Sequence, residues 1–386
     1  MKLKGVYKEL KSKSGSHSPS IETIIEKVGY NPVKIDACFL SNPYATDLFF
    51  QHLDELIADK SKFRRAIEFY PPQNKSIAKK ISSVTKVDEK NIIVGNGAVE
   101  IIQMIIHKYV STNICIPIPT FSPYYEYVQP NVETFYYTLK KDENFELNFD
   151  DFKKYILKNK IRNVVFINPN NPTGKISKKE DLLDFIEEFH HLENIIVDES
   201  FIDFSNHKSH DDVSVQNLVQ DYKNLVVINS MSKNFGIAGL RCGYGVMAAS
   251  KVENLLKTGY LWNISGLANF FYQEYENIEF QRSYFNVKER YQFETQEFFE
   301  KLITLNNENV KFYESQANFI LMEILTGEKA DDVMIELLDK YGVYSRECSD
   351  KIGLNGEFLR IASRNIDENR VILQSLMEYS KSSKKS

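Results

Sequence analysis

The stretch Leu225-Val226-Val227-Ile228-Asn229-Ser230-Met231-Ser232-Lys233-Asn234-Phe235-Gly236 is the part of the chain from which the fold can be predicted. Its first four residues form a continuous apolar run, which is typical of a strand buried on both faces. Glycines at 236, 239 and 243 follow, so we predict that the chain leaves this strand through a turn of small residues. A strand of this kind indicates a covered, largely parallel sheet.

Several side chains just after this strand suit a phosphate-bearing aldehyde. The amine of Lys233 can form a Schiff base with an aldehyde. Ser230, Ser232 and Arg241 can hold a phosphate dianion through charge-assisted hydrogen bonds. An ordinary solvated lysine in a polar loop is the alternative, and this run alone does not decide between the two readings.

The surrounding chain repeats the pattern of strand and helix. Helix-patterned stretches at 99–108, 152–158 and 179–189 lie between apolar runs, as in α/β proteins. We therefore predict an α/β fold with a large domain over residues 45–270, built on a seven-stranded, mainly parallel sheet. The predicted strands are 92–94, 114–116, 134–137, 164–167, 195–197, 225–228 and 244–246.

The remaining residues predict a smaller α+β domain, made of 1–44 and 271–386 and therefore discontinuous. Residues 1–20 are rich in Lys, Ser and Gly, so we expect a mobile or draped arm there. Residues 270–304 read as one long helical stretch. Shorter predicted elements are a helix at 21–28, strands at 310–313, 319–322 and 358–361, and a helix at 330–340.

Composition excludes several classes of protein. The 386 residues carry 48 basic and 53 acidic side chains, a net charge of −5, so no nucleic-acid-binding footprint is evident. No apolar run has transmembrane length, and the Lys/Ser-rich start lacks the apolar core of a signal peptide. The 4 cysteines are far apart, which argues against a disulfide framework or a zinc site. We expect a cytoplasmic protein without a metal.

Polar or special residues follow the predicted strands, where open α/β sheets bind ligands. Gly95-Asn96-Gly97-Ala98 could present backbone N–H groups to an anion, or be a plain turn. Phe121 could stack on a flat ring, or pack in the core. Asn171, in Asn168–Gly174, could donate to a ring oxygen, or serve a tight turn. Asp198 ends a buried strand and needs a cationic partner such as a protonated pyridine nitrogen, unless it only caps a helix.

With these motifs the chain resembles, over nearly its whole length, the fold-type-I, class I/II pyridoxal-phosphate aminotransferases. Within them it is most similar to the branch of histidinol-phosphate aminotransferase and threonine-phosphate decarboxylase. The motifs that carry the resemblance are Tyr70-Pro71, Gly95-Asn96-Gly97, Pro119-Thr120-Phe121, Asn168 to Gly174, Asp198-Glu199-Ser200-Phe201, Ser230 to Lys233 with Arg241, and Leu359-Arg360.

The resemblance implies pyridoxal 5′-phosphate as cofactor and a role for each matching residue. Lys233 would bind the cofactor's aldehyde and shuttle protons, and Asp198 would keep its ring nitrogen protonated. Asn171 would bond the phenolic oxygen and Phe121 would stack on the ring. Tyr70 would reach the phosphate in the neighbouring subunit, which implies a homodimer with shared sites. The other implied phosphate contacts are the backbones of Gly97, Ala98 and Val99 and the side chains of Ser230, Ser232 and Arg241.

The sequence departs from the family pattern at three places. Phe201 stands where a Tyr usually bonds the phenolic oxygen, so only Asn171 would fill that role. Phe121 stands where a stacking Tyr is common. Gly15-Ser16-His17-Ser18 lacks the glycines of a His-Gly-Gly phosphate contact, which leaves His17 as a candidate substrate contact.

The main functional prediction is an aminotransferase that moves an amino group between a small amine and a 2-oxo acid. We expect the amine to carry a phosphate or a phosphonate, or to be an amino acid. A threonine-phosphate-type decarboxylase and a 2-aminoethylphosphonate transaminase are alternatives, and a non-catalytic cofactor-binding scaffold is a third. The resemblance gives Arg360 as the residue that binds a substrate carboxylate or phosphate. Asn42, Tyr44, Arg364 and His17 are possible companions. The amine donor and acceptor stay open, as does transamination against decarboxylation.

Overall fold

The computed structural model describes residues 2–207, 210–259 and 262–382, and within them the strands form two sheets. The larger sheet has seven strands in the order β2-β8-β7-β6-β5-β3-β4. All neighbours are parallel except that β8 runs antiparallel to β2 and β7. Its strands are β2 (Ile92–Asn96), β3 (Asn113–Ile118), β4 (Glu133–Thr138), β5 (Asn163–Ile167), β6 (Asn194–Asp198), β7 (Leu225–Ser230) and β8 (Cys242–Met247).

The large sheet confirms the predicted fold class, and its central strands explain the prediction. In β7 the residues from Leu225 to Ile228 are fully buried, because helices pack on both faces of the sheet. Helices in the first two-thirds of the chain are α1 (Lys2–Lys13), α2 (Ile21–Val28), α3 (Pro43–Ala58), α4 (Lys60–Glu68), α5 (Asn74–Thr85), α6 (Ala98–Tyr109), α7 (Pro123–Glu126), α8 (Phe149–Lys158), α9 (Lys179–Glu188), α10 (Met231–Asn234) and α11 (Ala249–Lys257).

The smaller sheet has five strands in the order β1-β11-β12-β10-β9 among the described residues. Only the pair β1 and β11 is parallel. Its strands are β1 (Ile35–Ala37), β9 (Val310–Tyr313), β10 (Phe319–Ile324), β11 (Val343–Glu347) and β12 (Glu357–Ala362). The later helices are α12 (Gly266–Glu276), α13 (Ile278–Ile303), α14 (Ala330–Tyr341) and α15 (Ile366–Ser382), and 3₁₀ turns lie at Glu89–Asn91, Ile202–Phe204, His210–Asp212, Gln216–Gln220 and Ala238–Leu240.

The structure corrects the first part of the expectation of a mobile or draped arm over residues 1–20. Residues 2–13 form α1, and Leu3, Tyr7 and Leu10 are buried in the core of the smaller sheet. Their spacing of four and three residues places them on one helical face. The lysines between these residues make the segment polar on average, so its composition does not predict the buried helix face.

The predicted helix over 270–304 is two helices, α12 and α13. The chain bends between them at Asn277, whose extended backbone and side-chain oxygen cap the start of α13. Strand β11 was not predicted, because Ser345, Arg346 and Glu347 are polar although all are buried in mid-sheet. The division at residues 45 and 270 stays a prediction, and α13 contributes Phe280 to one core and Phe298 to the other.

Helix length and polarity bear on membrane insertion. Among the described helices, none combines the length and the apolar character that a bilayer crossing requires.

Candidate functional site

A cavity of about 260 Å³ lies between the carboxyl ends of the large-sheet strands and the small sheet. Five lysine and arginine side chains line it, against one carboxylate, that of Asp198. Its lining residues come from both sheets and from the segment between α1 and α2. They are Ser16, His17, Ser18, Cys38, Phe39, Leu40, Ala98, Val99, Phe121, Ile167, Asn171, Asp198, Ser200, Phe201, Ser230, Ser232, Lys233, Arg241, Arg346, Lys351 and Arg360.

Lys233 lies on α10, the short helix that begins directly after β7. The Ser230 side chain caps this helix by accepting from the Ser232 N–H, and the Lys233 carbonyl accepts from the Asn42 N–H at 3.0 Å. Burial, together with the like charges of Arg360 and Arg241, lowers the pKa of the Lys233 amine to about 8. A larger share of neutral, nucleophilic amine is therefore present near neutral pH than for a solvated lysine.

Asp198 is the last residue of β6 and is 3% exposed. Its Oδ2 accepts from the Tyr124 hydroxyl at 2.8 Å and its Oδ1 accepts from the Ser200 N–H at 2.9 Å. Burial raises the pKa of the Asp198 carboxyl, and these hydrogen bonds oppose the rise. A contact between Tyr124 and Asp198 was not predicted; Tyr124 lies on α7, the short helix that follows β3, and its hydroxyl reaches Asp198 on β6.

The start of α6 and Arg241 form a pocket suited to an anion. Gly97 precedes the helix at φ 79°, and a Cβ there would lie 2.4 Å from Arg241 Nη2, so only glycine lets the two approach. Arg241 is held by a bond from its Nη1 to the Ala238 carbonyl at 3.0 Å. The first N–H groups of a helix with no side-chain cap are free for an anion. The hydroxyl of Ser232 is buried without a hydrogen-bond partner in the described chain.

Asn171 and Arg360 contact each other where the two sheets face. Arg360 Nη1 donates to Asn171 Oδ1 at 2.8 Å, and Nη2 donates to the Cys38 carbonyl at 2.7 Å. The Arg360 guanidinium also lies 5.3 Å from the ring centre of Phe319. Its buried Nε has no partner among the described residues, and burial lowers the pKa of the guanidinium. Arg360 therefore retains donor capacity for a bound anion.

Aromatic side chains supply the apolar part of the lining. Phe121 lines the cavity and is half-buried. Phe201 is buried and packs edge-on against Phe319, with ring centres 5.1 Å apart. Phe201 thus belongs to an apolar cluster, and its side chain offers the cavity no hydrogen-bond donor.

Three of the sequence-predicted substrate contacts, Asn42, Tyr44 and Arg364, do not line this cavity, and their role as substrate contacts stays a prediction. Asn42 is 1% exposed, and its Oδ1 caps α3 by accepting from the N–H groups of Tyr44 and Ala45. The Tyr44 hydroxyl donates to Glu294 at 2.5 Å. Arg364 donates to the Ser41 carbonyl at 3.2 Å and pairs with Glu368 at 3.3 Å. Each side chain is committed to local structure.

His17 does line the cavity, as part of a segment that we call the strap, residues 14–20. The strap is tied to the small sheet, because Arg346 Nη2 donates to the Ser16 carbonyl at 2.9 Å and Tyr344 donates to the Pro19 carbonyl at 2.9 Å. The Ser16 hydroxyl contacts Ser122 at 3.0 Å, next to α7. His17 itself is exposed and lies 3.6 Å from Glu126.

Sequence reasoning missed Arg346 and Lys351, which line the cavity from the small-sheet side. Arg346 lies on the unpredicted strand β11, and Lys351 lies on the loop that follows it. The only available signal was the dense run of charged and polar residues from 345 to 351, which reads equally well as a solvated loop.

Pyridoxal 5′-phosphate fits the residues present. Its phosphate suits the start of α6, where the missing Cβ of Gly97 leaves space beside Arg241. The Ser232 hydroxyl, which has no partner in the described chain, could donate to the same phosphate. Asp198 suits its ring nitrogen, and the buried amine of Lys233 suits its aldehyde. Tyr70 is 84% exposed and does not line this cavity. It lies beside Trp262, with ring centres 5.7 Å apart.

Comparisons with known proteins agree with this arrangement. A family model described as aminotransferase class I and II matches residues 45–376. The chain is 45% identical over 375 residues to an L-serine phosphate decarboxylase from Campylobacter jejuni, covering 97% of this chain and 96% of the relative. The solved structure of a decarboxylase from Sulfurospirillum multivorans matches with a TM-score of 0.93 and 36% identity, over 99% of this chain and 97% of that one. A histidinol-phosphate aminotransferase from Methanocaldococcus jannaschii is 30% identical over 330 residues, 81% of this chain and 82% of the relative.

Proposed function

The chain belongs to the class I and II aminotransferase family of pyridoxal-phosphate enzymes, and from this premise we propose that it is a decarboxylase of a phosphorylated α-amino acid. With L-serine phosphate as the proposed substrate, the reaction consumes one proton and gives carbon dioxide and ethanolamine phosphate. The main sequence prediction was transamination, with decarboxylation as its alternative. We now prefer the alternative.

The observation that carries the preference is the 45% identity, over 97% of this chain, to an L-serine phosphate decarboxylase. A second relative of the same name, from Sulfurospirillum multivorans, is 36% identical over 98% of this chain. The histidinol-phosphate aminotransferases match less of the chain, 81% at 30% identity for the one from Methanocaldococcus jannaschii. The excess of cationic side chains in the cavity independently supports a substrate with more negative charge than a plain amino acid.

We assign the cofactor contacts as the resemblance predicts. Lys233 would hold the aldehyde, Asp198 the ring nitrogen, and Asn171 the phenolic oxygen through its amide N–H₂, since its Oδ1 accepts from Arg360. Phe121 would cover the ring. The phosphate would bind the backbones of Gly97, Ala98 and Val99 and the side chains of Ser230, Ser232 and Arg241. The bound cofactor supplies an electron-withdrawing ring that stabilises the carbanion left when a bond to the substrate's Cα breaks.

The protein's own groups would then hold and move protons. Lys233 would hold the cofactor through its buried amine and, once the substrate amine has taken its place, would deliver a proton to the Cα that loses CO₂. Asp198 keeps a proton on the ring nitrogen, because a buried carboxylate stabilises a neighbouring cation. Arg360 would bind one anionic group of the substrate and so fix which bond at Cα faces the ring.

Transamination remains the second candidate, since aminotransferases are among the relatives. L-Serine phosphate labelled with ¹³C in the carboxylate and ¹⁵N in the amine separates the two reactions when 2-oxoglutarate is present. We expect ¹³CO₂ and ethanolamine phosphate that keeps its ¹⁵N. Transfer of ¹⁵N to glutamate, with ¹³C kept in an oxo acid, would favour transamination. Lys233→Ala is the control and should reduce either reaction by at least about 10³-fold.

We also propose that the enzyme is a homodimer in which Tyr70 of one subunit reaches the cofactor phosphate of the other. An exposed apolar group around the end of α4 supports this proposal, because isolated soluble chains seldom expose such patches. Ile67 is 66% exposed, Phe69 60% and Trp262 53%. Sedimentation of wild type and Phe69→Asp tests the proposal, with dissociation and loss of cofactor expected together in the variant.

A further inference from the structure

Lys351 is a buried cation that lines the cavity. Lys351 is 8% exposed, and within the described parts of the chain its ammonium forms no hydrogen bond or salt bridge. Burial, with the like charge of Arg346 next, lowers the pKa of the Lys351 amine to about 8. An ammonium held in this way is costly unless an anion binds beside it.

The other cavity cations already have partners or assigned roles. Arg346 Nη2 donates to both Asp350 oxygens, at 2.8 and 2.6 Å, and to the strap. Arg360 donates to Asn171 and Cys38, and Arg241 lies at the helix start that suits the cofactor phosphate. Asp350 also attracts the Lys351 ammonium, but its oxygens are hydrogen-bonded to Arg346 and Lys11. Lys351 therefore has no carboxylate of its own among the described residues, and the proposed cofactor does not balance its charge.

The loop that carries Lys351 is fixed against the large sheet. Gly353 has φ 83°, and a Cβ there would lie 2.8 Å from Ile118 Cδ1 at the end of β3. The ion pair between Arg346 and Asp350 braces the start of the same loop. These contacts hold Lys351 across the cleft from Lys233 on α10 and Asp198 at the end of β6.

We propose that Lys351 is the specificity-determining residue that recognises the phosphate group of the substrate. The inference rests on the proposed function and extends it from a reaction to a residue that selects among substrates. The ligand class is an α-amino acid whose side chain ends in a phosphate monoester, and a phosphonate would offer the same dianionic oxygens. A substrate without this charge would leave the buried ammonium unpaired, so the site would discriminate against it.

The test compares Lys351→Met with wild-type holoenzyme, using one reactive and one unreactive ligand. 3-Phosphonopropanoate has no amine and cannot react, so its dissociation constant is measured by calorimetry. L-Serine phosphate gives kcat and KM, and L-serine gives an inhibition constant. We expect Lys351→Met to weaken 3-phosphonopropanoate and to raise KM for L-serine phosphate by roughly 30-fold or more. The kcat and the L-serine constant should change by less than about threefold, and Lys351→Arg should recover most of the loss.

Lys251→Met is the matched control, because burial also lowers the pKa of that lysine to about 8 although it lies on α11, outside the cavity. An equal loss in this control, an unchanged 3-phosphonopropanoate constant in Lys351→Met, or an equal loss for L-serine would overturn the inference. Lys351→Gln replaces the methionine variant should the latter not fold. If the wild type releases no CO₂ from L-serine phosphate, the proposed function fails, while the calorimetry still decides the role of Lys351.

Discussion

The two walls of the cavity are built differently. The large-sheet wall consists of strand ends, a helix start and short polar motifs, with Asp198 at the end of β6, Lys233 on α10 and Arg241 directly after the 3₁₀ turn Ala238–Leu240. The small-sheet wall consists of side chains that are distant in sequence, from the strap to Arg346 on β11 and Arg360 on β12. The first wall suits the cofactor, pyridoxal phosphate, and we propose that the second wall binds the substrate.

The difference explains which residues sequence reasoning could find. A motif such as Ser230 to Lys233 keeps its spacing because the β-strand, the turn and α10 fix it locally. Arg346 and Arg360 instead meet because β11 and β12 pair in register, which no local pattern encodes. The spacing of a local motif could therefore be interpreted from the residues themselves, whereas Arg360 was found only through the family resemblance and Arg346 was not found.

The largest expected effect on the large-sheet wall comes from a substitution of Gly97, beside Arg241. Gly97→Ala would force a residue with a Cβ to φ 79° and against Arg241 Nη2. We expect the dissociation constant of pyridoxal phosphate to rise by about 100-fold, measured by fluorescence titration of the apoenzyme. Gly239→Ala is the control, since nothing lies within 4 Å of its Cβ position. Equal binding in both variants would contradict the assignment.

A pH profile tests the same wall without a mutation. Because the pKa of Lys233 is lowered to about 8, half of the amine is neutral near pH 8, and the neutral fraction levels off above about pH 9. The rate of reconstitution from apoenzyme and pyridoxal phosphate should then increase about 30-fold from pH 6.5 to its plateau. Absorbance after stopped-flow mixing measures this rate. A rate that still rises tenfold per pH unit at pH 9.5 would show an unperturbed lysine instead.

A smaller effect is expected from Tyr124, which acts through Asp198. Tyr124→Phe removes the hydroxyl that donates to Asp198 Oδ2 at 2.8 Å, so the pKa of this buried carboxyl should rise further. We expect kcat to fall about tenfold with KM little changed. The ¹⁵N chemical shift of labelled cofactor should move towards that of an unprotonated ring nitrogen. Tyr127→Phe, outside the cavity, should change neither quantity, and an unmoved shift in Tyr124→Phe would refute the positioning role.

The smallest effect is expected at Arg364, and it tests which arginines of the small-sheet side bind the substrate. Arg364→Met removes a guanidinium that bonds Ser41 and Glu368 and does not line the cavity. We expect KM for L-serine phosphate to stay within about threefold of wild type, and thermal stability to fall slightly. A KM increase as large as that of Lys351→Met would restore Arg364 to the substrate-binding set.

The fold was largely predictable, with instructive exceptions. Continuous apolar runs marked five of the seven large-sheet strands, β2, β3, β5, β6 and β7, because burial on both faces demands apolar residues throughout. The edge strand β4 is only partly buried and is rich in Thr, Phe and Tyr. Helix α1 was missed because three buried residues among lysines already suffice to anchor it. Strand β11 was missed because its buried polar residues serve the cavity. Asn42 caps α3, a role that an Asn before a proline-started helix could have predicted, and its role as a substrate contact stays a prediction.

Two lysines with similarly lowered pKa values line this one cavity, Lys233 on the large-sheet wall and Lys351 on the small-sheet wall. The division between the walls assigns the cofactor to Lys233 alone. Borohydride reduction of the holoenzyme, followed by proteolysis and mass spectrometry, identifies the lysine that carries the pyridoxal group. We predict the label on Lys233 and none on Lys351. A label on Lys351, or on neither residue, would contradict the account.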